Sequence, residues 1–271
     1  MAHNGKRAAL IGCGNLGAII ARGIAGGLAG DWTLIGVTDT VPERAEKLAG
    51  ETGAVYAADI PALLETRPDM VIEATAPAVL KTFARDVLLG GADLMPLSVG
   101  AFADDAFYAS VRETAVVTGH RVHIVSGAIG GFDVMRSAMC MGDVKARIVN
   151  IKSPEALAGA PYLDAHPVSA DREETVFTGS AREAIEAFPK NVNVAVALAL
   201  ATAGVDETEV VVRSVPGKKL NLHTVELSGA FGNATVSVES VPTAENPRSS
   251  AIAAYSVLAR LASMTDPIAF Y

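Results

Sequence analysis

Cysteine is scarce in this chain: Cys13 and Cys140, far apart, are the only two among 271 residues. That excludes a disulfide framework, and no zinc-like spacing exists, so no metal is expected. Aromatic residues are only 5% of the chain, with one tryptophan, so an aromatic stacking surface is missing. Basic runs are missing too. Lys and Arg number 22 against 30 Asp and Glu, a net charge of −8, which argues against nucleic acid as a partner. No stretch stays apolar for the roughly 20 residues that a membrane helix needs. "NVNVAVALALATAG" comes nearest and reads as a buried helix. The start, "MAHNGKRAALIGCG", lacks a signal peptide's unbroken apolar core, because Gly12 and Gly14 interrupt it. The expectation is a cytoplasmic protein with no membrane partner. What is present is 50% hydrophobic and 19% charged residues. That balance supports one large domain or two modest ones.

The stretch "RAALIGCGNLGAIIARGI" places three glycines between a short apolar run and a segment whose Leu16, Ile19, Ile20 and Ile24 recur at helical spacing. Glycines at a strand-to-helix turn have specific uses. Gly12 permits the tight turn, Gly14 lets backbone amides approach a pyrophosphate, and Gly17 lets the helix pack on the strand. Asn15 and Leu16 share that turn, where the helix N-terminus offers N–H groups and a partial positive charge. A second strand, "DWTLIGVTDT", carries Asp39 at its end, placed to accept hydrogen bonds from an adenosine ribose. Together these predict dinucleotide binding, with NAD preferred and NADP as a second option. Cys13 reads as a small residue of the turn.

Strands and helices then alternate through about residue 126. That predicts an α/β fold whose N-terminal Rossmann dinucleotide-binding domain has a parallel sheet with helices on both faces. "PAVLKTFARDVLLGG" reads as one helix and "RVHIVSG" as a strand. The loops "ATAP" at 74–77, with Ala76, and "SVGA" at 98–101 follow strands and are candidates to face the cofactor.

The rhythm breaks after "SGAIGGFD". Strands now come in close succession, which predicts a second α+β domain on a mixed or antiparallel sheet, over residues 127–244. The first domain is expected to span 1–126. "NPRSSAIAAYSVLARLAS" reads as a helix starting at Asn-Pro, so that 245–271 returns to the first domain. "FPKNVNVA" puts Asn191 and Asn193 at a helix start. "LNLHTVEL" puts His223 on a strand, sharing a face with Asn221. Of the other histidines, His3 sits in the tail, His166 in a polar stretch, and His120 and His123 flank a strand start.

Taken as a set, "IGCGNLG", "SVGAFAD", "SGAIGGFD", "GSAREAIEAFPKNVNVAVALALA", "NLHTVELSGAFG" and "NPRSSAIAAYSVLARL" make the chain similar to the L-aspartate dehydrogenase family across nearly its full length. The resemblance implies NAD(P)-dependent oxidative deamination of L-aspartate to iminoaspartate. That product hydrolyses to oxaloacetate and ammonia, reversibly, or feeds quinolinate synthesis. It also implies that His223 is the active-site histidine, and that Ala128 and Asn193 are nicotinamide-side contacts. Where the family often carries an Ala-Asp-Pro turn, this chain reads "SVPGKK". Histidine is the natural base near neutral pH, and a group titrating at about 6.5 is expected. A dicarboxylate needs cationic partners, and Lys190, Lys218 and Lys219 are the candidates. A homodimer is expected. Two other readings stay open: a dehydrogenase of the same plan acting on another amino or imino acid, and a dinucleotide sensor without turnover.

Overall fold

A computed structural model describes residues 5–189, 192–243 and 246–270, with backbone alone for 246–248. His3, Lys190 and Asn191, all named above, lie outside the described residues. The chain forms two compact units.

The first unit runs to Val125 and takes the chain up again at Ala253. Its strands are β1 (Lys6–Ile11), β2 (Trp32–Thr38), β3 (Val55–Tyr56), β4 (Met70–Glu73) and β5 (Asp93–Pro96). All pair in parallel, in the order β3-β2-β1-β4-β5. Continuous burial of Ala8 to Ile11 and of Met70 to Glu73 is what a sheet covered on both faces requires. The helices are α1 (Asn15–Ala25), α2 (Pro42–Thr52), α3 (Ile60–Glu65), α4 (Pro77–Leu80), α5 (Ala84–Leu89) and α6 (Asp105–Thr118).

Two local expectations fail here. The segment 77–91 is two short helices, α4 and α5, because the chain turns at residues 81–83. "RVHIV" makes only a single bridge, Val122 to Leu94. It is held by two backbone bonds, from the Leu94 N–H to the Arg121 carbonyl (2.9 Å) and from the His123 N–H to the Leu94 carbonyl (2.8 Å), and by Asp93, whose carboxylate bonds His120 Nδ1 (3.2 Å), His123 Nε2 (2.9 Å) and the Arg121 N–H (2.9 Å).

The second unit, Ser126–Ile252, contains α7 (Phe132–Met141), β6 (Val144–Lys152), α8 (Pro154–Leu157), β7 (Glu174–Ser180), α9 (Ala181–Ala187) and α10 (Asn193–Ala201). The strands β8 (Glu209–Ser214), β9 (Asn221–Gly229), β10 (Gly232–Ser240), β11 (Pro242–Thr243) and β12 (Asn246–Ser250) follow. The main sheet has the order β10-β9-β6-β8-β7. Only β6 and β8 are parallel, so the sheet is mixed. Alternate residues of β6 and β9 are buried, which leaves one covered face and one partly open face.

The Asn-Pro helix start is corrected by β12. Residues 246–250 pair antiparallel with β11, and α11 (Ile252–Thr265) begins only after them. Within the first unit, α11 buries Ala254, Val257, Leu258 and Leu261 in the same core as Ile20, Ile24 and Trp32. Gly23 makes this approach feasible, since a methyl group there would lie 2.3 Å from a Leu258 methyl carbon.

Candidate active site

The glycine turn divides its labour by geometry. Gly12 has φ +98°, a conformation that L side chains rarely adopt, and a side chain there would also strike the Ala74 carbonyl. A methyl group on Gly17 would lie 1.9 Å from the Gly12 carbonyl oxygen, so α1 can approach its own turn only with glycine there. Gly14 differs: its backbone is ordinary (φ −70°), and nothing lies within 4 Å of the place a side chain would occupy. Protein packing leaves that place open beside the start of α1. The helix has no side-chain cap hydrogen bond and no acid in its first turn, the electrostatics an incoming phosphate needs. Asn15 opens α1, and Leu16 packs against the core.

Asp39 follows β2. Its Oδ2 accepts the Cys13 N–H at 2.6 Å and its Oδ1 accepts the Val41 N–H at 2.8 Å, so the carboxylate is fastened to the glycine turn with lone pairs to spare. Burial, with the Asp39 charge adding to it, pushes the Cys13 thiol up to about 12, which removes it from thiolate chemistry.

The two candidate loops after β4 and β5 are joined by a residue the sequence reading passed over. Glu73 is fully buried at the end of β4. Its Oε1 accepts from the Thr75 N–H, the Thr75 hydroxyl and the Ser98 hydroxyl, each at 2.6 Å, and its Oε2 accepts the Ser98 N–H at 3.0 Å. One carboxylate thus sets both "ATAP", where Ala76 precedes α4, and "SVGA".

In the second unit, the covered face of the main sheet is apolar along Val144, Ala146 and Ile148 of β6, Val210 and Val212 of β8, and Val225 and Leu227 of β9. At one end it turns polar: Asn150 and Lys152 end β6, Ser214 ends β8, and Asn221 and His223 begin β9. All five are buried. Burying such groups is costly, so their concentration marks a place built for chemistry. Asn150 and His223 are directly opposed in the β6–β9 ladder, and Lys152 opposes Ser214 in the β6–β8 ladder.

His223 Nδ1 lies 2.7 Å from Asn150 Oδ1. That oxygen has no hydrogen to give, so Nδ1 carries the proton and donates it. Nε2 keeps its lone pair. Burial, reinforced by the charge of Lys152, lowers the His223 pKa to about 3, and the expectation of a free group near 6.5 is corrected accordingly. Burial also lowers the Lys152 ammonium to about 8. Lys152 and Asn150 escaped the sequence reading. The available signal was polar residues continuing the buried alternation Val144, Ala146, Ile148. Of the lysines that were named, Lys218 is ion-paired with Glu239 in the turn before β9, and Lys219 is exposed.

Ala128 is buried in the turn that opens this unit, and Asn193 is the first residue of α10. Their segments meet, because a methyl group on Gly127 would lie 3.6 Å from a Val194 methyl carbon.

Comparison with known proteins places these features. Residues 12–125 match the family model "Homoserine dehydrogenase, NAD binding domain", and residues 133–264 match "Aspartate dehydrogenase, C-terminal". The chain is 31% identical over 261 residues to the L-aspartate dehydrogenase of Methanocaldococcus jannaschii, covering 96% of this chain and 97% of that protein. It is 32% identical over 257 residues to L-aspartate dehydrogenase 2 of Bordetella pertussis, covering 94% and 95%. The crystal structure of aspartate dehydrogenase from Thermotoga maritima superposes with a TM-score of 0.77 at 26% identity, covering 99% of this chain and all of that one. The parallel sheet with its glycine turn is the NAD-binding part of this plan and the mixed sheet its second domain; the chain belongs to the L-aspartate dehydrogenase family.

Proposed function

We propose that this protein catalyses the reversible, NAD(P)-dependent oxidative deamination of L-aspartate, with His223 handling protons. Iminoaspartate forms first, and water converts it to oxaloacetate and ammonia. The observation that carries the reading is the Asn150–His223 bond, set in a chain that matches L-aspartate dehydrogenases over nearly its whole length. The nicotinamide, when bound, supplies the hydride acceptor. The chain's own groups do the rest. Gly12, Gly14, Asn15, Leu16, Gly17, Asp39 and Ala76 hold the dinucleotide, and Ala128 and Asn193 contact its nicotinamide side. Hydride can leave the substrate carbon only once the amine is neutral, so a base must take its proton. His223 Nε2, with its lone pair kept available by Asn150, is that base. Once that proton has passed to solvent, the same nitrogen takes a proton from the water that attacks the imine and returns it to the departing ammonia.

NAD is the preferred cofactor, because the Asp39 carboxylate favours ribose hydroxyls over a 2′-phosphate. The first unit is the cofactor domain and the second the substrate domain. We also read the protein as a cytoplasmic homodimer. Among described residues no helix is long and apolar enough to cross a membrane, and Val149, Ile151 and Leu222 remain half-exposed on the second face of the mixed sheet. The test is direct: purified protein with L-aspartate and NAD or NADP, following absorbance of the reduced cofactor, then oxaloacetate with ammonia in reverse. Activity with another amino acid and none with aspartate would overturn the substrate.

A further inference from the structure

We propose that Lys152, with the Ser214 hydroxyl and the Asn150 amide, forms the anion-binding corner that takes a carboxylate of the substrate. The inference rests on the reading of the protein as an aspartate dehydrogenase. It starts from an accounting of hydrogen bonds. Asn150 Nδ2 and Ser214 Oγ are buried without any hydrogen-bond partner among the described residues. A buried donor left unmatched destabilises a fold, so a fold that keeps two of them has a use for them. They flank Lys152, two residues beyond Asn150 on β6 and opposite Ser214 on β8. Lys152 is only 3% exposed. A buried ammonium with two donors beside it matches a carboxylate, which offers two oxygens and accepts only.

The placement also suits the chemistry at His223. Lys152 acts electrostatically on that imidazole and disfavours its protonated form. A carboxylate bound at Lys152 offsets that charge. His223 therefore becomes a stronger base when substrate is present and stays neutral otherwise. Two titratable groups share the face with Lys152 among the described strand residues: His223, and Glu174 of β7, which opposes Ser214 and whose carboxylate is held by the Ser169 N–H at 2.6 Å and paired with Arg172 at 3.7 Å. β8 presents Ser214 and Val212 there, and α10, which packs on β6, carries no titratable side chain.

The experiment compares wild type with K152M and S214A. Four quantities are measured: NAD affinity, kcat for aspartate, KM for aspartate, and the affinity for succinate, a dicarboxylate with no amine, by calorimetry from pH 6.5 to 9.5. K152M should bind NAD normally while its KM for aspartate and its Kd for succinate rise about 10- to 150-fold, the loss of a charge-assisted hydrogen bond. S214A should raise both about fivefold. The wild-type Kd for succinate should climb above pH 8, where Lys152 loses its proton, and this rise should vanish in K152M. Unchanged succinate affinity in K152M overturns the proposal, and so does a fall in kcat alone, which would make Lys152 a proton carrier. If K152M does not fold, S214A and the wild-type pH dependence decide. A wild type that binds succinate in this manner but never oxidises aspartate refutes the activity and not the corner.

Discussion

His223 Nδ1 and Asn150 Oδ1 lie 2.7 Å apart on directly opposed positions of two antiparallel strands. The strand register, rather than any loop, fixes which imidazole nitrogen is protonated. His223→Ala should lower kcat by about two to four orders of magnitude, the usual worth of positioned acid–base help, with NAD affinity retained. Single-turnover kinetics of the folded variant check this, and near-normal turnover would remove His223 from the mechanism.

Gly14 and Gly17 make a contrasting pair. Gly14 has an ordinary φ and open space around it, so Gly14→Val should leave the melting temperature nearly unchanged while NAD binding collapses. Gly17→Ala should instead destabilise the fold, because its methyl group would collide with the Gly12 carbonyl. Thermal unfolding and NAD titration on both variants separate the roles; tight NAD binding by Gly14→Val would reduce the motif to a turn.

Asp39 should set cofactor choice. Asp39→Ser should raise the ratio of kcat/KM for NADP over NAD by about tenfold or more, the cost of keeping a phosphate beside a carboxylate. It should also loosen the turn, which loses the bond to the Cys13 N–H. A wild-type enzyme with a strong NADP preference would contradict the assignment.

Stability should also carry the mark of His223. Its pKa of about 3 in the fold lies below the unfolded value of about 6.5. Between those values the unfolded chain binds a proton that the folded chain does not, so this contribution is complete above pH 6.5 and is lost as pH falls. The slope from this one group approaches about 1.4 kcal/mol per pH unit. Urea unfolding at pH 6.5, 6.0, 5.5 and 5.0 should show a shallower decline for His223→Ala than for wild type.

The parts of this fold legible in the sequence were those whose signals are local. The glycine turn, the alternation of β6 and β9, and the helical spacing of α1 each declare themselves within a dozen residues. Where partners come from afar, the sequence is mute. Glu73 looks like the end of a strand until Ser98, 25 residues on, bonds to it. Asn150 acquires meaning only through His223, 73 residues away. Lys152 is one of 22 cationic residues until strand pairing buries it. The Asn-Pro signal misled because pairing with β11 outweighed a local helix start.

Trp32 donates its Nε1–H to the Leu261 carbonyl at 2.9 Å, across a separation of 229 residues. During synthesis this bond has a consequence of timing. The ribosome leaves the first unit unfinished at Val125 and supplies α11 only after every residue of the second unit has been made. At about 5–20 residues per second that is a wait on the order of ten seconds. Through that interval Ile20, Ile24 and Trp32 lack the helix that covers them. The nascent chain therefore passes through no stage at which a completed nucleotide-binding unit exists without the strand that carries His223.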